Sequence, residues 1–179
     1  MRKLVVSEFI SLDGVVEEPS WTLPYWNDEI AQFKYDELFS SDALLVGRVT
    51  YQGFAAAWPS RTDEQGYADR MNTLPKHVVT TTLQEASWNN STLVKQNIFD
   101  KISRLKEQPG QNILVFGSGT LANSLIQKNL VDEYNLLVYP VLVGNGKRLF
   151  NNGSQAALKL FQSKNFSSGV VLLRYQLAK

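Results

Sequence analysis

Strand-like and helix-like segments alternate along this chain, and this alternation constrains the fold more than any other feature of the sequence. Short apolar runs rich in β-branched residues are typical of buried strands; they occupy residues 3–10, 43–46, 76–82, 92–95, 112–116 and 133–139. Helical spacing of apolar residues marks several of the intervening segments, at 28–39, 50–57, 98–107 and 119–128. Strands that alternate with helices favour a mainly parallel sheet with helices packed on its faces.

The pattern changes towards the C-terminal end. Residues 158–166 and 170–177 resemble two strands, and the turn 167–169 between them predicts an antiparallel hairpin. The polar segment 60–73 is typical of a surface excursion. We therefore predict a single three-layer α/β domain over residues 1–179, with a mixed, mostly parallel central sheet and an antiparallel C-terminal hairpin.

Composition excludes several kinds of site. The chain has no cysteine and one histidine, His77, so disulfides, thiolate metal sites, a cysteine nucleophile and a zinc site of several imidazoles are excluded. A Ser-His-Asp triad would need His77, whose place before an apolar run is more typical of a strand edge. The net charge of +1 gives no electrostatic case for nucleic acid or an anionic membrane. We expect no metal, and chemistry based on carboxylates, hydroxyls, backbone amides and a bound cofactor.

The first residues are hydrophobic enough to invite comparison with a signal peptide. Glu8 and Asp13 interrupt the apolar run, and no small-residue cleavage site follows. A first β-strand is the better interpretation, and no run of eighteen apolar residues exists to span a bilayer. We expect a cytoplasmic protein with a small-molecule substrate.

Three strand ends carry residues that suit a phosphate-containing ligand, and ligands of parallel sheets bind at such ends. The first is the turn at Gly47, where a helix N-terminus, the Arg48 guanidinium and the Thr50 hydroxyl could meet a phosphate. The alternative is a simple chain turn with a solvated arginine. The second carries Thr81 and Thr82, although threonine is common in strands for structural reasons.

The third strand end is glycine-rich. It carries Gly117, Ser118, Gly119, Thr120 and Leu121, between a very apolar strand and a helix, as in loops that hold a diphosphate. The segment lacks the third glycine of the dinucleotide fingerprint and the Gly-Lys-Ser/Thr ending of a P-loop, so neither standard motif is present.

These residues belong to a longer pattern. The segments 113–121, 130–133, 140–147 and 149–150 closely resemble the reductase domain of the bacterial riboflavin-biosynthesis deaminase/reductase, and resemble stand-alone dihydrofolate-reductase-like proteins related to it more closely still. Further matches are Ser-Leu-Asp-Gly at 11–14, Leu-Val-Gly-Arg-Val-Thr-Tyr at 45–51, and Leu-Pro followed by the strand at 78–82. The resemblance spans nearly the whole chain.

This resemblance implies a dihydrofolate-reductase-like fold, bound NADPH and often a homodimer. It assigns the phosphate side of the cofactor to Gly47, Arg48 and Thr50, and the adenosine half to Thr81 and Thr82. It places the glycine-rich segment from Gly117 through Ser118, Gly119 and Thr120 to Leu121 under the diphosphate and nicotinamide.

The substrate side has two candidate proton donors. The stretch containing Trp21, Glu29 and Phe33 is similar to the substrate helix of dihydrofolate reductases, where a carboxylate four residues before the phenylalanine assists protonation. Glu29 takes that position here, or it is simply an acid in a first helical turn. Asp13, beside Gly14 at the end of the first strand, is the rival, or it is a turn residue. An aromatic wall for a flat heterocycle could come from Trp21, Tyr25, Trp26 and Phe54.

The function predicted from these residues is an NADPH-dependent reductase of a small heterocycle, with 5-amino-6-(5-phosphoribosylamino)uracil reduction as the family-level expectation. The alternatives are a non-catalytic NADPH-binding or nucleotide-binding module and a dihydrofolate-reductase-type pterin reductase. The Gly-Arg-x-Thr-Tyr turn at Gly47 resembles dihydrofolate reductase more than the riboflavin enzyme, so the substrate stays open.

Overall fold

One mixed sheet organises the computed structural model, which describes residues 1–117, 119–151, 153 and 155–178. The described residues form eight strands: β1 Leu4–Ser11, β2 Ser41–Gly47, β3 Lys76–Val79, β4 Ser91–Val94, β5 Asn112–Val115, β6 Glu133–Tyr139, β7 Leu158–Asn165 and β8 Val171–Leu177. Their spatial order is β4-β3-β2-β5-β1-β6-β8-β7. The first six strands pair in parallel, whereas β8 pairs antiparallel with both β6 and β7. The predicted mixed sheet with an antiparallel C-terminal hairpin is confirmed.

Helices cover both faces of the sheet. They are α1 Asp28–Phe39, α2 Arg48–Ala57, α3 Tyr67–Thr73, α4 Ile98–Glu107 and α5 Gly119–Gln127. Leu38 of α1, Tyr51 of α2 and Met71 of α3 share one apolar cluster with the sheet. Ile102 of α4 and Leu125 of α5 belong to a second cluster, so the three predicted layers are present. No helix of the described part of the chain is long and apolar enough to cross a membrane.

The secondary structure differs from the prediction in three places, two of which follow from side-chain hydrogen bonds. The segment 60–73 is not entirely an irregular excursion, because Asp63 accepts hydrogen bonds from the amides of Tyr67 and Ala68 and starts α3. A short 3-10 helix, Pro19–Tyr25, forms where we predicted no element. The third strand ends at Val79 rather than at residue 82, because the Thr80 hydroxyl accepts the next amides and turns the chain.

The two central strands separate partway along their length. β5 pairs with β1 only as far as Val6, whereas β6 continues beside β1 to Ser11. Ser7, Glu8 and Phe9 therefore have a strand partner on the β6 side, and on the other side they line an open cleft. This separation creates the principal cavity of the molecule.

Candidate active site

The cavity that opens between β1 and β5 has a volume of about 1510 Å³. Typical sites for one small molecule measure roughly 300–1,000 Å³, so this cavity has room for a dinucleotide and a second small molecule. Its walls come from the carboxyl ends of β2, β3 and β5, from the start of α2 and α5, and from one face of α1. The three strand ends predicted from the sequence therefore meet at one site.

The first turn presents the N-terminus of α2 to the cavity. Gly47 is the N-cap and provides no side-chain hydrogen bond, so the first-turn amides keep their capacity to bind a ligand. Arg48 and Thr50 follow and line the cavity, and the Arg48 guanidinium is exposed apart from a 3.0 Å hydrogen bond to Gln52. An uncapped helix start with an exposed arginine is suited to a phosphate group.

The second turn follows β3. Thr81 and Thr82 are exposed and line the cavity. The preceding Thr80 is buried, and its hydroxyl accepts the amides of Thr82 and Leu83, both at 3.1 Å. Thr80 thus shapes the turn and leaves the two following hydroxyls available to a ligand.

The third turn lies against the first. The Gly47 amide donates to the Gly117 carbonyl at 3.1 Å, which ties the ends of β2 and β5 together. Gly117 has a φ of +87°, and a Cβ there would lie 3.1 Å from the Thr50 hydroxyl oxygen. Glycine is therefore required at this position for its backbone angle and for its lack of a side chain.

The glycine-rich segment continues into α5. Gly119, Thr120 and Leu121 line the cavity, and a Cβ on Gly119 would approach Val16 to 2.9 Å. Ser118, the remaining predicted cofactor residue, lies outside the described residues. The structure thus brings every described residue of the predicted cofactor set to one cavity.

Asp13, predicted to lie beside the substrate, does not line this cavity. Its carboxylate accepts hydrogen bonds from the Ser11 hydroxyl at 2.6 Å, the Val143 amide at 3.1 Å and the Gly144 amide at 2.8 Å. These bonds lower the pKa of Asp13 to about 2, with the Ser11 hydroxyl contributing most. Gly14, with a φ of +87°, completes the same turn and is also outside the lining. Asp13 anchors the 143–144 segment and is poorly suited to donate a proton.

Glu29 is likewise outside the cavity lining. Its carboxylate accepts the Ser167 hydroxyl at 2.5 Å and the Ser167 amide at 2.7 Å, and these bonds lower its pKa. Glu29 therefore joins the start of α1 to the turn between β7 and β8. The position that the resemblance assigns to a proton donor has a structural role in this chain.

The predicted aromatic residues divide between core and cavity. Trp21 packs edge-on against Tyr139, and Phe33 packs in the cluster around Ile30, so neither lines the cavity. Trp26 and Phe54 do line it. The face of α1 turned to the cavity carries Ala31, Lys34 and Tyr35 instead of the predicted Glu29 and Phe33.

Glu8 is the functional candidate that the sequence prediction missed. It lines the cleft on β1, and its Oε1 atom is buried with no hydrogen-bond partner among the described residues. Burial raises the pKa of Glu8 to about 8, with Lys34 lowering it and Glu37 raising it by smaller amounts. The available signal was a carboxylate within the otherwise apolar and hydroxyl-containing strand LVVSEFIS.

A buried polar network supports the cleft from the α1 side. The Lys34 ammonium donates to the Ser7 hydroxyl at 2.8 Å and to Glu37 at 2.5 Å, and it lies 4.2 Å from the Phe116 ring centroid. Glu37 also accepts the Asn135 side-chain amide at 2.7 Å. Because these partners surround it, the Lys34 charge has a fixed position beside the cleft.

Comparison with known proteins identifies a family and related folds. The pattern of the RibD C-terminal domain matches residues 2–172. The chain is 29% identical over 178 residues to the uncharacterized protein YyaP of Bacillus subtilis (strain 168), covering 97% of this chain and 94% of YyaP.

Solved structures share the fold at lower identity. A protein from Shewanella sp. PV-4, whose name links it to riboflavin biosynthesis, has a TM-score of 0.80 at 21% identity over 99% of each chain. Dihydrofolate reductase from Enterococcus faecalis, solved with NADP(H), has a TM-score of 0.68 at 11% identity, covering 99% of this chain and 97% of that one.

Proposed function

Because the chain belongs to the RibD C-terminal domain family, we propose that it is an NADPH-dependent reductase of a small heterocyclic substrate. The observation that carries this proposal is the convergence of the turns at Gly47, Thr81 and Gly117 on one cavity. Each of these turns offers backbone amides or hydroxyls at the carboxyl end of a parallel strand, where nucleotides bind in such sheets.

The residues at the three turns fit NADPH. The uncapped start of α2 and the Arg48 guanidinium match phosphate groups, and the hydroxyls of Thr81 and Thr82 match phosphate or ribose. Gly117 keeps the backbone beside Thr50 open to close approach. When bound, NADPH supplies the hydride; the protein binds it, orients it and excludes water.

The other part of the cavity suits a flat ring. Phe9, Trp26 and Tyr35 provide aromatic surface, and Lys34 and Glu8 provide polar groups nearby. A few polar groups among apolar and aromatic walls are typical of a site that orients a heterocycle. Together with the riboflavin-linked neighbour from Shewanella sp. PV-4, this supports a ribosylaminopyrimidine such as 5-amino-6-(5-phosphoribosylamino)uracil as the substrate class.

Nucleotide binding is the first test. NADPH and NADH are titrated against wild type, Arg48→Ala and the control Arg104→Ala, whose side chain is exposed on α4, with tryptophan fluorescence as the readout. Loss of a charged contact to phosphate weakens binding by about tenfold or more. We expect that loss for NADPH with Arg48→Ala, a smaller loss for NADH, and no change with Arg104→Ala.

Two results would contradict the proposal. If wild type binds neither nucleotide, the cofactor assignment is wrong. If Arg48→Ala weakens NADPH and NADH binding equally, Arg48 does not recognise the 2′-phosphate that distinguishes NADPH from NADH. Binding without NADPH oxidation across ribosylaminopyrimidines and pterins would instead favour a non-catalytic binding module.

We also propose the homodimer that the resemblance implies. β7 lies at the edge of the sheet and exposes Leu160 and Phe161, which is unusual for a strand with no partner on one side. Light scattering gives the molar mass directly, and a monomeric mass at micromolar concentration would reject the dimer.

A further inference from the structure

We propose that Glu8 is the catalytic acid of this site, and that its carboxyl group gives the substrate the proton that must accompany a hydride. This inference rests on the proposed reductase function and adds a residue that neither the sequence prediction nor the family resemblance assigned.

The position of Glu8 follows from the separation of β1 and β5. Beyond Val6, β1 no longer pairs with β5. Glu8 lines the same cavity as Gly117 and the aromatic side chains of Phe9, Trp26 and Tyr35. A Cβ placed on Gly117 would lie 3.6 Å from Glu8 Oε1 and 3.9 Å from Oε2, so the carboxyl group adjoins the glycine turn. Glu8 is therefore between the part of the cavity assigned to NADPH and the part assigned to the substrate.

The carboxyl group has an unused hydrogen-bonding atom. Glu8 Oε1 is buried and has no hydrogen-bond partner among the residues that the structure describes. An unpaired buried polar atom is unfavourable unless a ligand or water completes it. Glu8 lines the cleft, so a rotation of its carboxyl group would let a ring nitrogen or carbonyl oxygen of a substrate complete this atom. That substrate atom is the one that needs a proton on reduction.

The surroundings of Glu8 favour its neutral form at physiological pH. Burial raises its pKa to about 8; among charged groups, Lys34 lowers it and Glu37 raises it, both from α1. The neighbouring residues from the turn after β5 and from the start of α2 are Gly117 and Thr50. Neither residue ionises near neutral pH. The group thus carries a proton before reaction, and the Lys34 ammonium stabilises the carboxylate after the proton has left.

The step balances with the reduced nicotinamide as the hydride donor. The carbon of a substrate C=N or C=O bond accepts the hydride with its two electrons, and the π pair moves to the heteroatom. That heteroatom forms a bond to the Glu8 proton as the O–H bond of the carboxyl group breaks. Glu8 is left as a carboxylate and regains a proton from solvent when product leaves.

The first experiment measures the pKa of Glu8 in the resting protein, without any catalytic turnover. Protein labelled with carbon-13 at glutamate carboxyls is titrated by NMR, and the Glu8 signal is identified by its absence in Glu8→Gln. A midpoint near pH 8 supports the proposal. A midpoint in the ordinary range of a glutamate, about pH 4 to 5, overturns it whether or not the protein is a reductase.

The second experiment measures single-turnover NADPH oxidation with the ribosylaminopyrimidine and pterin panel. General-acid catalysis contributes typically 10²–10⁴-fold, so Glu8→Gln should lose at least about 100-fold at neutral pH and lose the decline that wild type shows above pH 8. Glu8→Asp should recover part of the rate. Glu107→Gln, an exposed change at the end of α4, should match wild type.

Nucleotide affinity separates the possible failures. Glu8→Gln should bind NADPH as wild type does, because the cofactor contacts remain. Full activity of Glu8→Gln in an active enzyme overturns the role of Glu8 alone. Wild type that binds NADPH but reduces no member of the panel overturns the reductase function, and the catalytic role of Glu8 with it.

Discussion

Replacing Glu8 by glutamine should change how the stability of the protein depends on pH. The folded-state pKa of Glu8 is raised from the ordinary value of 4.5 to about 8. Between these two values the folded state holds the Glu8 proton and the unfolded state releases it. The Glu8 contribution to stability is therefore complete below about pH 4.5, falls as pH rises, and reaches its minimum above about pH 8.

The magnitude follows from the pKa difference. Each pKa unit corresponds to about 1.36 kcal/mol, so wild type should lose about 3 kcal/mol of unfolding free energy between about pH 4.5 and pH 7 through this one group. Glutamine has nearly the same shape and does not ionise. The stability of Glu8→Gln relative to wild type should therefore rise by about 3 kcal/mol over the same interval.

Urea unfolding followed by tryptophan fluorescence measures this difference at a series of pH values. Other titrating groups, among them Asp13 and His77 with their lowered pKa values, are shared by the two proteins and cancel in the comparison. Glu107→Gln, which removes an exposed carboxylate of the same type, serves as the matched control. A Glu8→Gln offset that is constant across pH would refute the reasoning, because Glu8 would then be ionised in the folded state.

Three further substitutions test individual contacts. Gly117→Ala should abolish NADPH binding in a fluorescence titration and lower the thermal midpoint, since φ is +87° and the added methyl meets Thr50 at 3.1 Å; retained binding would contradict the close-approach argument. Asp13→Asn should lower the urea midpoint at neutral pH through weakened anchoring of the 143–144 segment while nucleotide affinity stays at the wild-type level, and a selective loss of turnover would restore Asp13 as a proton donor. Lys76→Met should destabilise the fold by about 1–3 kcal/mol in urea unfolding, because the buried ammonium donates to three backbone carbonyls that would lose their partner; an unchanged midpoint would show that those carbonyls find other partners.

The sheet was predictable because its strands are bounded by clear changes in pattern. Runs rich in apolar and β-branched residues, such as 3–10 and 112–116, are typical of buried strands. The C-terminal hairpin has its turn between two further strand-like runs. The seven-residue helix Tyr67–Thr73 escaped prediction because it buries few side chains and depends on Asp63, whose bonds to the helix amides are invisible in a periodicity pattern.

The convergence of the three turns was predictable from local chemistry, and the surroundings of Glu8 were not. Gly47 and Gly117 act within their own turns, so short motifs describe them well. The surroundings of Glu8 depend on where β5 ends relative to β1. This end point is set by the register of the sheet, which pairs segments that lie far apart in the sequence. The hydrogen-bond partners of Asp13 and Glu29 were equally hidden, since Val143 and Ser167 lie far along the chain.

The buried network behind the cleft also constrains how this site is made during protein synthesis. Among the described residues, those lining the cavity end at Lys147, yet Asn135, which donates to Glu37, is itself held by Arg174 on β8 at 2.9 Å. A nascent chain in which every lining residue has left the ribosome still lacks the strand that completes this network. Ribosome-stalled chains that end before β7 should accordingly fail to bind nucleotide, and the site matures only when the C-terminal hairpin has emerged.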